Sequence, residues 1–314
     1  MKSKMKKTAA GSRAVGLMLF ACAVITSMFL TGVSLPAQEL TIPPRADNRN
    51  EKQAPFKMIG NIYWVGHSQV GSFLIKTPAG DILMDSTSKE QAPWVKENLE
   101  KIGVKMKDIK IILNSHPHAE HMGGFAMMKE ATGAKIITSK LTAVDMSTGG
   151  RNDFREDGSE QYKPIKVDGT VEDGGKVELG GMTLVAHLTP GHTKGCTTWT
   201  TTVEEDGKKY NVVFFCGVTP AGPDRQPFFN NDKYPNVVED FQNTYRVLHS
   251  LPCDVFLYAR ATTIHMAEKH ARLEKGEKPN PFIDPEGCRA YIKENEDMFN
   301  KLLAEQKAAA KKKS

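Results

Sequence analysis

A surplus of either charge is missing from this chain outside its first few dozen residues. Lys2, Lys4, Lys6, Lys7 and Arg13 account for the whole formal net charge of +5, and residues 38–314 are balanced. A balanced surface leaves no electrostatic footprint for nucleic acid, and Lys311-Lys312-Lys313 at the end reads as a solvated tail. The glycine pairs Gly123-Gly124, Gly149-Gly150, Gly174-Gly175 and Gly180-Gly181 do not form a phosphate-binding loop pattern. Ser86 and Ser115 lack a recognisable nucleophile elbow, which argues against a serine hydrolase. No internal repeat is visible by sequence identity. Cysteine is sparse, with five in 314 residues, so a disulfide-dense miniature scaffold is excluded.

The basic n-region is followed by a long apolar stretch over residues 14–35 and small residues near Ser34-Leu35-Pro36-Ala37. This pattern predicts a secretory signal peptide over residues 1–37, with Leu35 a poor residue three places before the bond. The alternatives are an uncleaved membrane anchor, since the apolar run approaches spanning length, and a lipoprotein processed at Leu19-Phe20-Ala21-Cys22. Export to the periplasm is the expectation, with no membrane contact after cleavage. The remaining residues, 38–314, suffice for one domain with a substantial core. In an oxidising compartment a disulfide is plausible. Cys253, before the last predicted strand, and Cys288, at the start of the final helix, are the preferred pair. Cys196 and Cys216 lie in strand-like runs and read as inert buried thiols.

The mature chain is strand-rich at first. Residues 57–66, 72–77 and 81–85 cluster β-formers, with Pro78-Ala79-Gly80 as a turn. Residues 92–102 have helical periodicity and lead to a buried strand at Ile111-Ile112-Leu113. Residues 122–128 read as helix and 135–138 as strand, while 147–175 reads as a surface loop. Strands follow at 183–189, 197–203 and 210–217, with Asp206-Gly207 as a hairpin signal. Residues 237–250 are helical, 254–258 a strand and 285–307 a long charged helix. Two strand-then-helix halves imply two packed sheets with helices outside.

The chemistry concentrates in His116-Pro117-His118-Ala119-Glu120-His121-Met122-Gly123-Gly124, directly after the 111–113 strand. Three imidazoles and a carboxylate within six residues at the carboxyl end of a strand are a donor set for a borderline divalent ion such as zinc. Thr189-Pro190-Gly191-His192-Thr193 is a tight turn after a strand and supplies a further imidazole. A last ligand would be expected near residues 258–262, but Tyr258-Ala259-Arg260-Ala261-Thr262 contains no histidine. His265 reads as lying inside a helix. His67, His187, His249 and His270 have no clustered partners and read as structural.

These motifs resemble the metallo-β-lactamase superfamily, and within it the third subclass of class B β-lactamases. The resemblance covers nearly the whole mature chain. It runs through Gly60-Asn61-Ile62-Tyr63-Trp64-Val65-Gly66, Ile82-Leu83-Met84-Asp85, the stretch 113–124, Leu188-Thr189-Pro190-Gly191-His192-Thr193, Gly195-Cys196-Thr197-Thr198-Trp199 and Asn280-Pro281-Phe282-Ile283-Asp284-Pro285-Glu286-Gly287. It implies an α/β fold, an αββα sandwich with a metal centre on one edge, and a bridge between Cys253 and Cys288.

The resemblance also assigns a first zinc to His116, His118 and His192. A second zinc would take the positions of Glu120, His121 and Arg260, where the family has aspartate, histidine and histidine. Glutamate carries the same charge on a longer arm. Arginine stays protonated and has no lone pair to donate, so it does not replace an imidazole. The acid–serine pair usual in the family reads Cys216-Gly217 here. One zinc is therefore expected and a second is in question, with Arg260 either pairing with Glu120 or facing solvent.

The implied function is a zinc-dependent β-lactamase, in which zinc-activated water opens the lactam amide while Glu120 and Arg260 act beside it. A hydrolase of another small lactone, ester or thioester, and a zinc-binding pseudoenzyme, are the alternatives. The implied partner is a small carbonyl substrate.

Overall fold

The computed structural model describes residues 50–154, 161–220 and 226–311. The expected leader with Cys22 and the last two lysines lie outside the described residues. Among the described residues, no helix is long and apolar enough to cross a membrane.

Seven strands form the first sheet in sequential order: β1 (Phe56–Ile59), β2 (Ile62–Trp64), β3 (Phe73–Thr77), β4 (Gly80–Met84), β5 (Ile109–Leu113), β6 (Lys135–Ser139) and β7 (Gly169–Val171). The first four pair antiparallel, and the sheet turns parallel from β4 onward. Helices α1 (Ala92–Lys101), α2 (Ala119–Met122), α3 (Phe125–Thr132) and α4 (Lys140–Thr148) occupy its crossovers. The second sheet has five strands in the order β12-β11-β10-β9-β8. They are β8 (Lys176–Leu179), β9 (Met182–Leu188), β10 (Thr197–Glu205), β11 (Lys208–Phe214) and β12 (Val255–Leu257), with α5 (Val237–Ser250), α6 (Met266–Glu274) and α7 (Pro285–Lys311) around it.

Period-two alternation explains the layering. In β3, Phe73 and Ile75 join one core while Leu74 joins another; in β4, Ile82 and Met84 are separated from Leu83 in the same way. The inner core brings those side chains against Leu184, Ala186, Trp199 and Val203 of the second sheet. The outer core of the first sheet packs Leu74, Leu83 and Ile112 against Val95, Leu99, Phe125 and Met128 of α1 and α3. Rings such as Trp64 and Trp199 are fully buried, and losing one of that size typically costs about 3–5 kcal/mol. On the far side, Phe241 and Tyr245 of α5 pack against Phe299 of α7. The result is the expected αββα sandwich.

Five local expectations need correction. Residues 57–66 make two short strands, because Gly60 turns the chain with φ +53°. The helix expected over 122–128 is split at Gly123-Gly124, and its first part begins at Ala119, inside the histidine cluster. The 147–175 segment is not a plain surface loop, since Asp153, Tyr162 and Ile165 are buried and β7 ends it. His265 is not within a helix; it precedes α6 in a left-handed conformation, φ +52°. Cys196 and Cys216 are not free thiols but a disulfide, as are Cys253 and Cys288. Antiparallel β10 and β11 bring Cys196 and Cys216 to a Cα separation of 5.7 Å, within bridging range.

Candidate metal centre

Strands β4 and β5 lie side by side and end together at Met84 and Leu113. The chain leaving β4 puts Asp85 in the left-handed region (φ +58°), where its N–H donates to the Leu113 carbonyl at 3.0 Å. The buried Asp85 carboxylate then accepts from the Ser115 N–H and the Ser115 hydroxyl, both at 2.8 Å. That hydroxyl has one proton, and Asp85 takes it. Its contact with His116 Nδ1 at 3.0 Å must therefore be accepted from an imidazole N–H. His116 is fixed in the Nδ1–H tautomer, and its Nε2 lone pair is the one left to offer. Gly124 lets the turn close down, because a Cβ there would lie 2.4 Å from Ala92 Cβ and 2.8 Å from the Ser86 carbonyl.

His192 reaches the same place from the second sheet. Its Nδ1 lies 2.8 Å from the Thr219 carbonyl, which only accepts, so Nδ1 carries the proton and Nε2 the lone pair. Gly217 packs directly under this ring: a Cβ would sit 2.3 Å from His192 Cδ2. Gly217 is thus sterically matched to His192. His118 turns its Nε2 toward Asp153 Oδ2 at 3.5 Å. The His116 ring centroid lies 4.5 Å from that of His118 and 4.9 Å from that of His192, and the 118–192 separation is 4.7 Å. One ligand atom from each of the three falls within 4.8 Å of the others. Three converging imidazoles, His116 and His118 buried and His192 half-buried, with two tautomers fixed, are a fitting donor set for a single zinc-like ion.

Glu120, His121 and Arg260 lie on one flank of this triad. His121 Nδ1 is 3.5 Å from Asp85 Oδ2 and its Nε2 is 3.9 Å from Glu120 Oε1. Arg260 follows β12 and is held by an isolated bridge to Val70, with Gly71 N–H donating to the Ala259 carbonyl at 2.6 Å. From there its guanidinium donates to Glu120 Oε1. Glu120 is 7% exposed, whereas the Arg260 side chain is 40% exposed. Arg260 therefore does not simply face solvent, although solvent reaches it. A small cavity of ≈ 180 Å³ opens beside the pair, lined by His67, Ser88, Gln91, Glu120 and Arg260 among others. Burial pushes the Tyr258 hydroxyl up to about 12, against the opposing pull of Arg260, so this phenol stays protonated near the site.

The native FEZ-1 metallo-beta-lactamase from Legionella gormanii superposes with a TM-score of 0.80 and 37% identity, covering 82% of this chain and 98% of that chain. The chain belongs to the metallo-β-lactamase superfamily. The superfamily model matches residues 65–204. BJP-1, a subclass B3 metallo-beta-lactamase of Bradyrhizobium japonicum, has a TM-score of 0.76 and 35% identity over 82% of this chain and 96% of its own. A hydroxyacylglutathione hydrolase of Hyphomonas neptunium is 38% identical over 87 residues, which are 28% of this chain and 27% of that protein. The matches to curated relatives span half of those proteins' lengths or less.

Within this superfamily member, the triad lies together and Arg260 lies against Glu120. Four contributors escaped the sequence reading. Asp85 and Ser115 stand in a strand exit whose role depends on the neighbouring strand. Thr219 and Asp153 come from irregular segments with no periodicity to mark them. Asp153 is 9% exposed, and near it the Asp145 carboxyl is pushed up to about 6 by burial and then by the charge of Asp153. Among the histidines read as structural, His187 bonds Thr200 Oγ1 at 2.9 Å on the second sheet and His249 pairs with Glu296 at 2.8 Å. His67 instead lines the cavity beside Glu120.

Proposed function

We propose that this protein is an exported, zinc-dependent hydrolase that opens a β-lactam amide at a single ion held by His116, His118 and His192. The observation that carries the reading is the convergence of these three imidazoles, two buried and His192 half-buried, beside an Arg260–Glu120 ion pair. Zinc in a three-histidine site supplies Lewis acidity and brings the pKa of a water down to about 7. The protein's own residues do the rest. Glu120, its Oε1 held by Arg260, orients the attacking water, accepts its proton as the C–O bond forms and passes that proton to the lactam nitrogen as the C–N bond breaks. Arg260 presents a fixed positive charge for a substrate carboxylate, which a guanidinium can take bidentately. His121 backs Glu120 and is itself placed by Asp85. Residues 1–37 serve as the signal peptide, and the two disulfides suit an oxidising compartment.

The test is hydrolysis of a carbapenem and a chromogenic cephalosporin by the purified protein, with zinc, with chelator, and after zinc is restored. Turnover that chelator abolishes and zinc restores is expected. No β-lactam turnover in a folded, zinc-loaded sample would overturn the reading. A second panel of thioesters then follows from the partial match to a hydroxyacylglutathione hydrolase, and silence on every carbonyl substrate would mark a pseudoenzyme.

A further inference from the structure

Two of the three triad histidines have their non-ligating nitrogen committed to a protein oxygen: His116 to Ser115, and His192 to the Thr219 carbonyl. The third is treated differently. His118 is 1% exposed, and the group opposite its Nε2 is a carboxylate, Asp153 Oδ2 at 3.5 Å. Asp153 comes from the irregular segment after α4, far in the chain from every other residue of the site. Its position is built. Gly149 and Gly150, at φ +68° and +80°, end α4, and Asp153 N–H donates to the Gly150 carbonyl at 3.1 Å. Tyr162 N–H donates to the Gly149 carbonyl at 3.0 Å and Ile165 N–H to the Met146 carbonyl at 2.9 Å, so the returning chain pins the turn. At its other end α4 is latched to the His192 turn, because Ser139 Oγ and Thr142 Oγ1 donate to the Gly195 carbonyl at 2.6 and 2.8 Å. One helix thus spans from the turn that carries His192 to the carboxylate that faces His118.

We propose that Asp153 is a positioning residue for the triad: its carboxylate holds His118 with the proton on Nε2, so that Nδ1 carries the lone pair offered to the ion. The inference rests on the reading of the triad as a metal site. An imidazole presents only one lone pair in its neutral form, and the charged partner on the opposite nitrogen decides which. A carboxylate there also raises the basicity of the ligating nitrogen, which a neutral hydroxyl or carbonyl does less strongly. Asp153 sets a charged partner against a triad histidine, so its removal affects the metal more than its distance from the reacting atoms suggests.

The test is zinc affinity of the full chain by competition with a chromophoric chelator, for wild type, Asp153→Asn and Asp153→Ala. Losing such a partner typically weakens metal binding by about 10–100-fold, and that loss is expected for Asp153→Ala, with a smaller loss for Asp153→Asn. Asn keeps the shape and folds where Ala fails. In the zinc-loaded wild type, nitrogen-15 spectra of the histidines should place a slowly exchanging proton on His118 Nε2, and Asp153→Ala should lose that protection. A purely structural Asp153 would instead lower the melting temperature of the zinc-free protein and leave zinc affinity within twofold of wild type. Unchanged affinity in folded variants, or a His118 proton on Nδ1 in the zinc-loaded wild type, overturns the proposal. Wild type that binds no zinc overturns the metal-site reading itself, and the two failures are therefore distinct.

Discussion

Replacing Arg260 by histidine should convert this protein from one zinc per chain to two. The Arg260 guanidinium donates to Glu120 Oε1, so any second cation on that carboxylate would sit roughly 4 Å from it. Two unit charges at that distance repel by about 1 kcal/mol in water and about 4 kcal/mol at an effective dielectric of 20, and a divalent ion doubles both figures. With the Arg260 side chain 40% exposed, the lower end applies. Removing the guanidinium is then worth about 2 kcal/mol, or roughly 30-fold in affinity for a second ion. The introduced imidazole adds a ligand alongside Glu120 and His121, so 30-fold is a floor. The assay is zinc content after dialysis at fixed free zinc, backed by calorimetric titration of wild type, Arg260→His and Arg260→Met. Wild type should retain one equivalent and Arg260→His two, while Arg260→Met gains affinity without the extra ligand. A second equivalent in wild type, or unchanged titration curves in all three, would refute the argument that Arg260 occupies the place of an ion.

Other consequences are open to measurement. Gly217→Ala would put a Cβ 2.3 Å from His192 Cδ2; the ring must move, so zinc affinity should fall, and wild-type affinity in this variant would show that the contact yields freely. The Cys196–Cys216 bridge closes a separation of 20 residues, and replacing both by alanine should cost about 3 kcal/mol in urea unfolding under oxidising conditions. Lys269 is 5% exposed at its side chain and pairs with Asp284 at 2.7 Å, tying α6 to the start of α7. Lys269→Met should cost about 2 kcal/mol, the low end for a buried pair because Asp284 keeps contact with water. Burial pushes the Asp284 carboxyl up, but the Lys269 hydrogen bond and the Gly287 N–H outweigh it and hold the group below its ordinary value. A carboxyl lowered in the folded state lends stability above its unfolded pKa and loses it as pH falls through the folded one. The stability gap between wild type and Lys269→Met should thus be constant above about pH 5 and close in stronger acid; a gap unchanged down to pH 2 would contradict the pairing.

Some of this molecule is written in short stretches of chain. The apolar run Ile111-Ile112-Leu113 followed by His116, His118, Glu120 and His121 marks a strand exit loaded with ligands, because strand pattern and donor type are both local properties. The amphipathic helix over residues 237–250 and the Asp206-Gly207 hairpin are local for the same reason: helix period and a two-residue turn need no distant partner. The absence of a lone pair on Arg260 was equally plain, since it follows from the side chain alone.

What depended on tertiary structure were relations between segments far apart in sequence. Whether Arg260 meets Glu120 is settled by the bridge of residue 260 to Val70 and by the exit of α2, 140 positions away. The pairing of Cys196 with Cys216 follows from the β10–β11 ladder, where a strand-like pattern alone reads as buried thiols. The tautomers of His116 and His192 are set by Asp85 through Ser115 and by Thr219: the first contact needs β4 laid beside β5, and the second needs the segment after β11 brought to the turn after β9. Asp153 lay in a segment that composition marks as surface loop, and the turn after α4 buries it against His118. The chain by itself therefore determined which chemical groups are available and which strand end displays them. The folded structure decided which oxygen faces which nitrogen, because a hydrogen bond is fixed by distance and direction, and sequence spacing specifies neither across separate elements.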